Sequence, residues 1–132
     1  MKDLEGKGRI DYNYAEDILY FYLDKTKLKD EHIYDYSFDL GGFIIDVDKD
    51  KHVIGMELLD ASKKLNVKKL LLNFIKKGEF QAKVEKNIIS ISFSFVSIIR
   101  NKPEQIVTSN MERLNTFNLQ ESGLKLEVMP VR

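Results

Sequence analysis

A run of alternating apolar and serine residues in the second half of the chain places the strongest constraint on its fold. The apolar positions are Ile89, Ile91, Phe93 and Phe95, and a serine stands between each neighbouring pair. Successive side chains of a β-strand point to opposite faces of a sheet, so this spacing predicts a strand with one buried and one solvated face. Because a lone strand is not stable in water, the chain must supply further strands to pair with it.

Further alternating or β-rich runs predict the rest of a sheet. They lie at residues 9–23, 32–40, 43–48, 52–59, 80–84, 105–109 and 124–128. Gly41 and Gly42 separate two of these runs and have the conformational freedom of a tight turn, which predicts an antiparallel hairpin. The polar residues 24–30 are expected to form a loop, and NMERLN at residues 110–115 fits one helical turn.

One segment has the spacing of a helix. Its apolar residues recur every three or four positions, as in the buried stripe of an amphipathic helix, and they are Val67, Leu70, Leu71, Phe74 and Ile75. Asp60, Ser62 or Asn66 can cap its start, because short polar side chains accept hydrogen bonds from free backbone N–H groups. Gly78 is the residue type that commonly follows a helix end. We therefore predict one helix over about residues 62–77.

These patterns together predict an α+β fold, in which a predominantly antiparallel β-sheet of meander hairpins carries one amphipathic α-helix. A chain of 132 residues, 43% of them hydrophobic, fits a single domain at residues 1–132. Within it, we expect residues 9–78 to form a unit of strands plus helix. Residues 79–132 are expected to form a β-rich C-terminal extension of the same domain.

Composition excludes some classes of function. The chain has no cysteine, which excludes thiolate nucleophiles and disulfides and suits a reducing cytosol. The N-terminus is charged, and no run approaches the roughly 20 apolar residues that span a membrane, so we expect a cytoplasmic protein without a membrane partner. The net charge is zero, but residues 1–60 hold 15 acidic and 8 basic side chains, against 6 and 13 in residues 61–132.

Two stretches resemble the YuzE-like family, a small family of bacterial and archaeal domains of unknown function. IDYNYAEDILY, residues 10–20, is similar to its opening strand, and GFIIDVDKDKHVIGMELLDAS, residues 42–62, is similar to its Asp-x-Asp, Val-Gly-x-Glu and Leu-Asp-Ala-Ser run. Asn13 stands where the family usually has Asp, and Lys51 where its hairpin usually has Gly. The resemblance covers about residues 9–67. It implies a small antiparallel sheet followed by a helix, no established activity, and a small toxin-like protein as a partner of some members.

An acidic segment contains the residues that most favour a metal ion. Asp46, Asp48, Asp50 and Glu57 have the offsets of the calcium ligands in an EF-hand loop. However, Lys51 occupies the position where that loop needs glycine, and the flanking segments predict strands instead of two helices. A hairpin with a charged turn accounts for these carboxylates. We therefore expect no metal and no cofactor, with these four residues as the candidates if one binds.

Histidine and serine chemistry have less support. His32 and His52 are the only histidines, and their positions at a strand start and after a turn suit exposed side chains better than a metal site. The four serines between residues 90 and 97 lie on a predicted strand, whereas a nucleophilic serine occupies a strained turn. The sequence thus identifies no catalytic residue, and an enzyme is the less favoured class.

Nucleic acid is a further possible partner. Lysines surround the predicted helix and tyrosines lie on the predicted strands, and nucleic-acid-binding proteins combine such side chains. The lysines are Lys63, Lys64, Lys68, Lys69, Lys76 and Lys77, and the tyrosines are Tyr20, Tyr22, Tyr34 and Tyr36. Because the tyrosines belong to the acidic half, the two sets are not expected to form one surface, which makes nucleic acid the weaker interpretation.

Self-association is the preferred interpretation. Leu72 lies off the predicted helical stripe, and Phe95, Ile98 and Ile99 belong to a segment that is apolar on both faces. These four residues are the expected interface of a symmetric homodimer. The sequence therefore favours a small cytoplasmic binding or interaction module that self-associates. The alternatives are a metal-dependent or carboxylate-based enzyme that uses the acidic hairpin, a nucleic-acid-binding protein, and a partner of a small toxin-like protein.

Overall fold

The computed structural model describes residues 2–24 and 34–131, which form nine strands and two short helices. The strands are β1 (Lys2–Asn13), β2 (Ile18–Leu23), β3 (Tyr34–Asp39), β4 (Phe43–Asp48), β5 (Val53–Leu58), β6 (Ile75–Glu85), β7 (Ile88–Ser97), β8 (Gln105–Leu114) and β9 (Ser122–Pro130). The helices are α1 (Ala61–Leu65) and α2 (Lys69–Leu72). His32 and nearly all of the predicted loop at residues 24–30 lie outside the described residues.

All nine strands belong to one sheet, in the order β3-β4-β5-β2-β1-β9-β6-β7-β8. Seven of the neighbouring pairs are antiparallel, but β1 and β9 run parallel to each other. The sheet is therefore mixed: antiparallel pairing predominates as predicted, and the parallel β1–β9 pair is a departure from a meander of hairpins. Through its pairing with β1 and β6, the last strand joins the first half of the chain to the second.

The sheet curls so that its apolar face encloses the core. The rings of Phe21 on β2 and Phe93 on β7 have centroids 4.7 Å apart, although four steps of the strand order separate them. In a flat sheet that separation would be about 19 Å, because neighbouring strands lie about 4.8 Å apart. Phe38 on β3 also stacks on Phe117, in the connection from β8 to β9. Apolar side chains thus fill the inside of the curl, and the polar alternate positions lie on its outer face.

The predicted helix over residues 62–77 is wrong. Asn66 has a left-handed backbone and ends α1, and α2 continues only to Leu72. Ile75 then begins β6, which forms ladders with both β7 and β9. The hydrogen bonds of β6 to strands on both sides stabilise the chain more than a helix with this apolar spacing would. As a result, Leu70 and Phe74 are exposed. In the described part of the chain, neither helix is long and apolar enough to cross a membrane.

Two other local expectations are also wrong. Gly78 does not end a helix but lies inside β6, where a Cβ atom would come within 2.5 Å of the Ser94 carbonyl oxygen. Glycine is needed there because the β6 and β7 backbones approach closely. The NMERLN segment forms the end of strand β8 instead of a helical turn, since its residues from Asn110 to Leu114 pair with β7.

Candidate functional site

A cleft on the outer face of the sheet contains two carboxyl groups and three tyrosines. Its volume is about 270 Å³, and its lining residues are Tyr20, Tyr22, Tyr34, Asp46, Glu57 and the neighbouring Phe21, Leu23, Ile54 and Met56. Tyr22 and Tyr34 are exposed, whereas Asp46 and Glu57 are half-buried. We call this feature the tyrosine–carboxyl cleft.

The register of three strands places these side chains together. Glu57 on β5 lies opposite Tyr20 on β2, and Gly55 lies between Tyr22 on β2 and Asp46 on β4. Gly55 has no side chain, so it leaves a gap between the tyrosine ring and the carboxylate. A Cβ atom at Gly55 would lie 3.4 Å from Asp46 Oδ2 and 2.6 Å from the Phe21 carbonyl oxygen. The cleft therefore depends on a glycine within a strand.

Hydroxyl groups hold one side of the carboxyl pair. Ser37 on β3 donates a hydrogen bond to Asp46 Oδ1 at 2.6 Å, and the Tyr34 hydroxyl lies 2.9 Å from Ser37 Oγ. On its other side Asp46 lies near enough to Glu57 to raise the pKa of that group. Two carboxyl groups form a hydrogen bond to each other only when one of them carries a proton. The proximity of the two acids therefore favours the protonated form of one of them.

Glu57 is the acid of this pair whose pKa lies near neutral pH. Burial raises the pKa of Glu57 to about 7, and the hydrogen bond and negative charge of Asp46 act in the same direction. Burial together with the nearby charge of Glu57 also raises the pKa of Tyr20. A carboxylic acid with a pKa near 7 can release its proton when a cation enters the cleft, and it can also serve as a general acid or base.

The four acidic candidates from the sequence divide between two places. Asp46 and Glu57 line the cleft, whereas Asp48 and Asp50 lie at the turn between β4 and β5. Asp48 is buried, and its Oδ1 accepts hydrogen bonds of 2.9 Å from the backbone N–H groups of Asp50 and His52. The carboxylate of Asp48 therefore stabilises the turn. The four residues therefore do not form the EF-hand loop that the sequence already disfavoured, because Asp46 and Glu57 lie in the cleft and Asp48 and Asp50 at the turn.

One group of side chains is close enough to hold a metal ion. Ligand atoms of Asp48, Asp50 and His52 lie within 4.8 Å of one another, and this is the one such group in residues 2–24 and 34–131. Nδ1 of His52 is 3.6 Å from Asp48 Oδ2. The hydrogen bonds that Asp48 accepts in the turn account for its position without an ion.

The structure buries half of the dimer interface expected from the sequence. Leu72 and Phe95 are each 1% exposed and belong to the core. Their side chains therefore have no surface to offer a partner. Ile98 is exposed and Ile99 half-buried, and both lie in the connection between β7 and β8. The helical stripe that left Leu72 outside the predicted core does not form, because α2 ends at Leu72.

The four tyrosines considered for nucleic acid do not lie on one surface. Tyr20, Tyr22 and Tyr34 surround carboxyl groups, and Tyr36 packs beside Phe38 on the inner face. The ammonium group of Lys69 lies over the ring of Tyr14, 4.3 Å from its centroid. Sequence reasoning identified three cleft tyrosines but missed Ser37 and Gly55. The one available signal was a glycine inside the alternating run HVIGMELL.

Outside the cleft and the turn, the buried carboxylate of Asp17 connects the two stretches that carry the family resemblance. Asp17 is buried at the end of the β1–β2 hairpin and accepts hydrogen bonds from the Tyr12 hydroxyl at 2.6 Å and from the Ser62 hydroxyl and N–H at 2.7 and 3.0 Å. Burial opposes ionisation of Asp17, but these hydrogen bonds outweigh it and lower its pKa. This network joins the hairpin to α1, so we assign Asp17 a structural role.

Part of the chain matches a known protein family. Residues 9–62 match DUF2283, a family described as a protein of unknown function. Every acid and tyrosine of the tyrosine–carboxyl cleft lies within this range, as do both ends of the Asp17–Ser62 connection. The matched region therefore corresponds to β2 through β5 with the second part of β1, from Arg9 to Asn13, and the start of α1.

Two archaeal relatives extend the match over most of the chain. One is an uncharacterised protein of Methanocaldococcus jannaschii, 38% identical over 117 residues that cover 87% of this chain and 94% of the relative. The other, from Methanosarcina mazei, is named a putative hypoxanthine phosphoribosyltransferase and is 30% identical over 122 residues, 91% of this chain and 92% of the relative. The chain belongs to the same protein family as these two relatives. No solved structure matches it significantly.

Proposed function

We propose that the protein is a binding module whose tyrosine–carboxyl cleft takes a lysine or arginine side chain of a protein partner. The observation that carries the proposal is the placement of two carboxyl groups and three tyrosines around one opening. Carboxylates pair with ammonium and guanidinium groups, and the faces of aromatic rings attract cations. A small toxin-like protein, which the YuzE-like resemblance implies, belongs to this class of partner.

The size of the cleft supports a side chain as the ligand. Its volume of about 270 Å³ is below the range typical of pockets for drug-sized molecules. Anionic ligands are disfavoured, because Asp46 and Glu57 would repel phosphate groups. This argument applies to a nucleic-acid backbone and also to a phosphoribosyl group, so the activity in the name of the Methanosarcina mazei relative does not fit this cleft.

The test is a titration with a blocked tri-arginine peptide in 0.15 M salt, followed by amide chemical shifts. We expect the largest shifts at Gly55, Asp46 and Tyr22, and a dissociation constant that decreases between pH 6 and pH 8, because deprotonation of Glu57 adds a negative charge. Asp46→Asn should weaken binding about tenfold or more, the loss expected for one desolvated charge pair.

Asp11→Asn is the matched control for this titration. Asp11 is exposed on the same outer face, opposite Tyr20, and carries the same charge as Asp46 but does not line the cleft. It should leave binding of the peptide nearly unchanged. Equal losses in Asp11→Asn and Asp46→Asn would indicate general electrostatic attraction and contradict the proposal. Equal binding of a tri-glutamate peptide would contradict it as well.

The pKa of Glu57 supports a second candidate, a carboxylate-based enzyme. A general acid–base works best with a pKa near the working pH, and Glu57 meets that condition beside a second carboxyl group. The two candidates differ in the state of the ligand after binding. Mass spectrometry of the tri-arginine peptide after long incubation should recover it intact if the protein binds only. Cleavage that is lost in Glu57→Gln would favour the enzyme.

We also propose that the module self-associates. The support is a long strand at one end of the sheet, β8, whose outer edge pairs with no strand in the described parts of the chain. Such an edge presents N–H and C=O groups that another strand can use.

A further inference from the structure

The free edge of β8 lacks several of the features that usually protect an edge strand, although it contains the charged residues Glu112 and Arg113. It is ten residues long, pairs with β7 without a bulge, and contains no proline and no lysine. The edge at the other end of the sheet differs, since β3 has six residues and a register shift between Tyr34 and Tyr36. Long, regular edges promote pairing with another chain, whereas short or bulged edges oppose it. Of the two edges, β8 is therefore the one suited to association.

Two hydrogen bonds identify the β8 residues that face this edge. The Asn115 N–H donates to the Asn87 carbonyl at 2.9 Å, which continues the β7–β8 ladder through the odd-numbered residues. The Arg113 side chain donates to the Glu112 carbonyl at 2.8 Å, so that carbonyl points away from β7. Because the backbone groups of an antiparallel strand alternate in direction, the even-numbered residues offer their N–H and C=O groups at the free edge. They are Ile106, Thr108, Asn110, Glu112 and Leu114.

We propose that two copies of the chain associate through antiparallel pairing of β8 with β8, with Asn110 on the two-fold axis. Thr108 then lies opposite Glu112 of the second copy, and Ile106 lies opposite Leu114. The five even-numbered residues form five cross-strand pairs, and the two sheets become one continuous sheet. Within one chain, the Glu112 and Leu114 carbonyls also accept hydrogen bonds from the Arg113 side chain and the Thr116 N–H. The β8–β8 pairing provides a surface for the proposed self-association and is independent of the ligand of the cleft.

The exposed apolar residues of β8 support a second copy as the occupant. Ile106 is 67% exposed and Leu114 is 62% exposed, and both lie on the outer face near opposite ends of the strand. The proposed register brings them together twice, once at each end of the interface. A shift by two residues would place Ile106 opposite Glu112 or Leu114 opposite Thr108. Apolar cross-strand pairs stabilise a sheet, so the sequence of β8 is complementary to itself in one register.

Engineered cysteines test the register directly, because the natural chain contains none. Asn110→Cys places two thiols on the two-fold axis, with Cα atoms about 5.5 Å apart, a distance that a disulfide spans. Thr108→Cys is the matched control, since its two copies would be offset by four residues, about 13 Å along the strands. Under mild oxidation, we expect a covalent dimer from Asn110→Cys and little from Thr108→Cys. Equal cross-linking of the two variants would overturn the register.

Sedimentation equilibrium tests the interface itself. We expect the natural chain, of 15.4 kDa, to reach twice that mass between 5 and about 200 μM, a range that detects dissociation constants typical of modest interfaces. Ile106→Lys should weaken the dimer about tenfold or more, because it removes two apolar pairs. Met129→Lys is the control, since Met129 is 50% exposed on the same face but lies on the interior strand β9.

The possible outcomes separate the two proposals. The highest concentration, about 200 μM, is on the order of the dissociation constant of a weak dimer. A natural chain that is still monomeric there would overturn both self-association and this interface. A dimer that persists in Ile106→Lys and does not cross-link through Asn110→Cys would overturn the β8 interface alone. Thermal unfolding of each variant, followed by circular dichroism, checks that the monomer remains folded.

Discussion

At the scale of single residues, two acids of this chain have opposite pKa shifts although burial acts on both of them. Asp17 and Glu57 both lose solvent, but Asp17 receives hydrogen bonds from two hydroxyl groups and a backbone N–H, whereas Glu57 lies beside another acid. Donors stabilise a carboxylate, and a second carboxyl group destabilises it. The first arrangement therefore contributes to stability at neutral pH, and the second reduces it.

Glu57→Gln should stabilise the protein at high pH. The folded pKa of Glu57 is about 7 against an ordinary value of 4.5, so the unfolded chain releases this proton first as the pH rises from 4.5 to 7. The free energy of unfolding falls over that window. Glutamine resembles the protonated acid and removes the decrease. We expect a gain on the order of 1–2 kcal/mol at pH 8, reduced from the full value by solvent screening of this half-buried group.

Denaturant unfolding at pH 4.5 and pH 8 measures this effect. The gain should be near zero at pH 4.5, where Glu57 is protonated in the folded chain. Glu79→Gln is the control, because Glu79 is exposed on the outer face of β6, outside the cleft. A gain of the same size at both pH values would mean that the charge of Glu57 is not the cause.

Ser62→Ala should destabilise the protein at neutral pH. The change removes the hydroxyl that donates to Asp17 Oδ2 and leaves part of a buried carboxylate without its donor. The expected loss is about 1–3 kcal/mol, the usual cost of an unmet buried hydrogen bond. Chemical denaturation at pH 7 measures it. Ser90→Ala is the control, because Ser90 lies half-buried on the outer face of β7. It should lower the free energy of unfolding by less than about 0.5 kcal/mol.

At the scale of elements, long-range pairing decides whether a segment becomes helix or strand. Residues 67–75 have a helical apolar spacing, but only one turn of helix forms there. The chain gains more from pairing Ile75–Glu85 with two neighbouring strands than from extending an isolated helix, because short helices are marginal in water. Regular alternation was the more reliable signal, since the run at residues 89–95 is confirmed as part of β7.

Gly78→Ala distinguishes the strand from the predicted helix end. In β6, the new Cβ atom would meet the Ser94 carbonyl oxygen at 2.5 Å and the Phe95 Cβ at 2.9 Å. We expect a loss of about 2 kcal/mol or more, in the range for overpacking a core, measured by thermal and denaturant unfolding. Gly6→Ala is the control, because nothing lies within 4 Å of its added methyl group. A neutral Gly78→Ala would contradict the close approach of β6 and β7.

At the scale of the whole molecule, the two halves of the chain share one core. Phe21 on β2 stacks on Phe80 of β6 and contacts Phe93 of β7. Strand β9 also lies between β1 and β6, so residues near the C-terminus join the two halves. The sequence predicts residues 9–78 as a unit of strands plus helix within a single domain, and in the sheet this unit pairs with and packs on strands from the second half of the chain.

A fragment of residues 1–78 should therefore not fold alone. It would expose Phe21, Ile10 and Leu19, which are at most 2% exposed in the complete chain, and would leave one edge of β1 unpaired. We expect a circular dichroism spectrum of an unfolded chain and amide shifts without dispersion. Adding residues 79–132 as a second peptide should restore part of the structure. A cooperative unfolding transition in the fragment alone would contradict this prediction.

The sequence by itself determined that the protein is β-rich, where most strands lie, and that an acidic hairpin spans Asp46 to Glu57. These features follow from local alternation and turn residues, which act between near neighbours. Only the tertiary structure decided that β9 pairs with β1, that the helix ends after one turn, and that Asp46 and Glu57 separate from Asp48 and Asp50. It also placed Tyr20 and Tyr22 beside the two acids. Strand register causes these placements, because the face that each side chain occupies depends on partners distant in the chain.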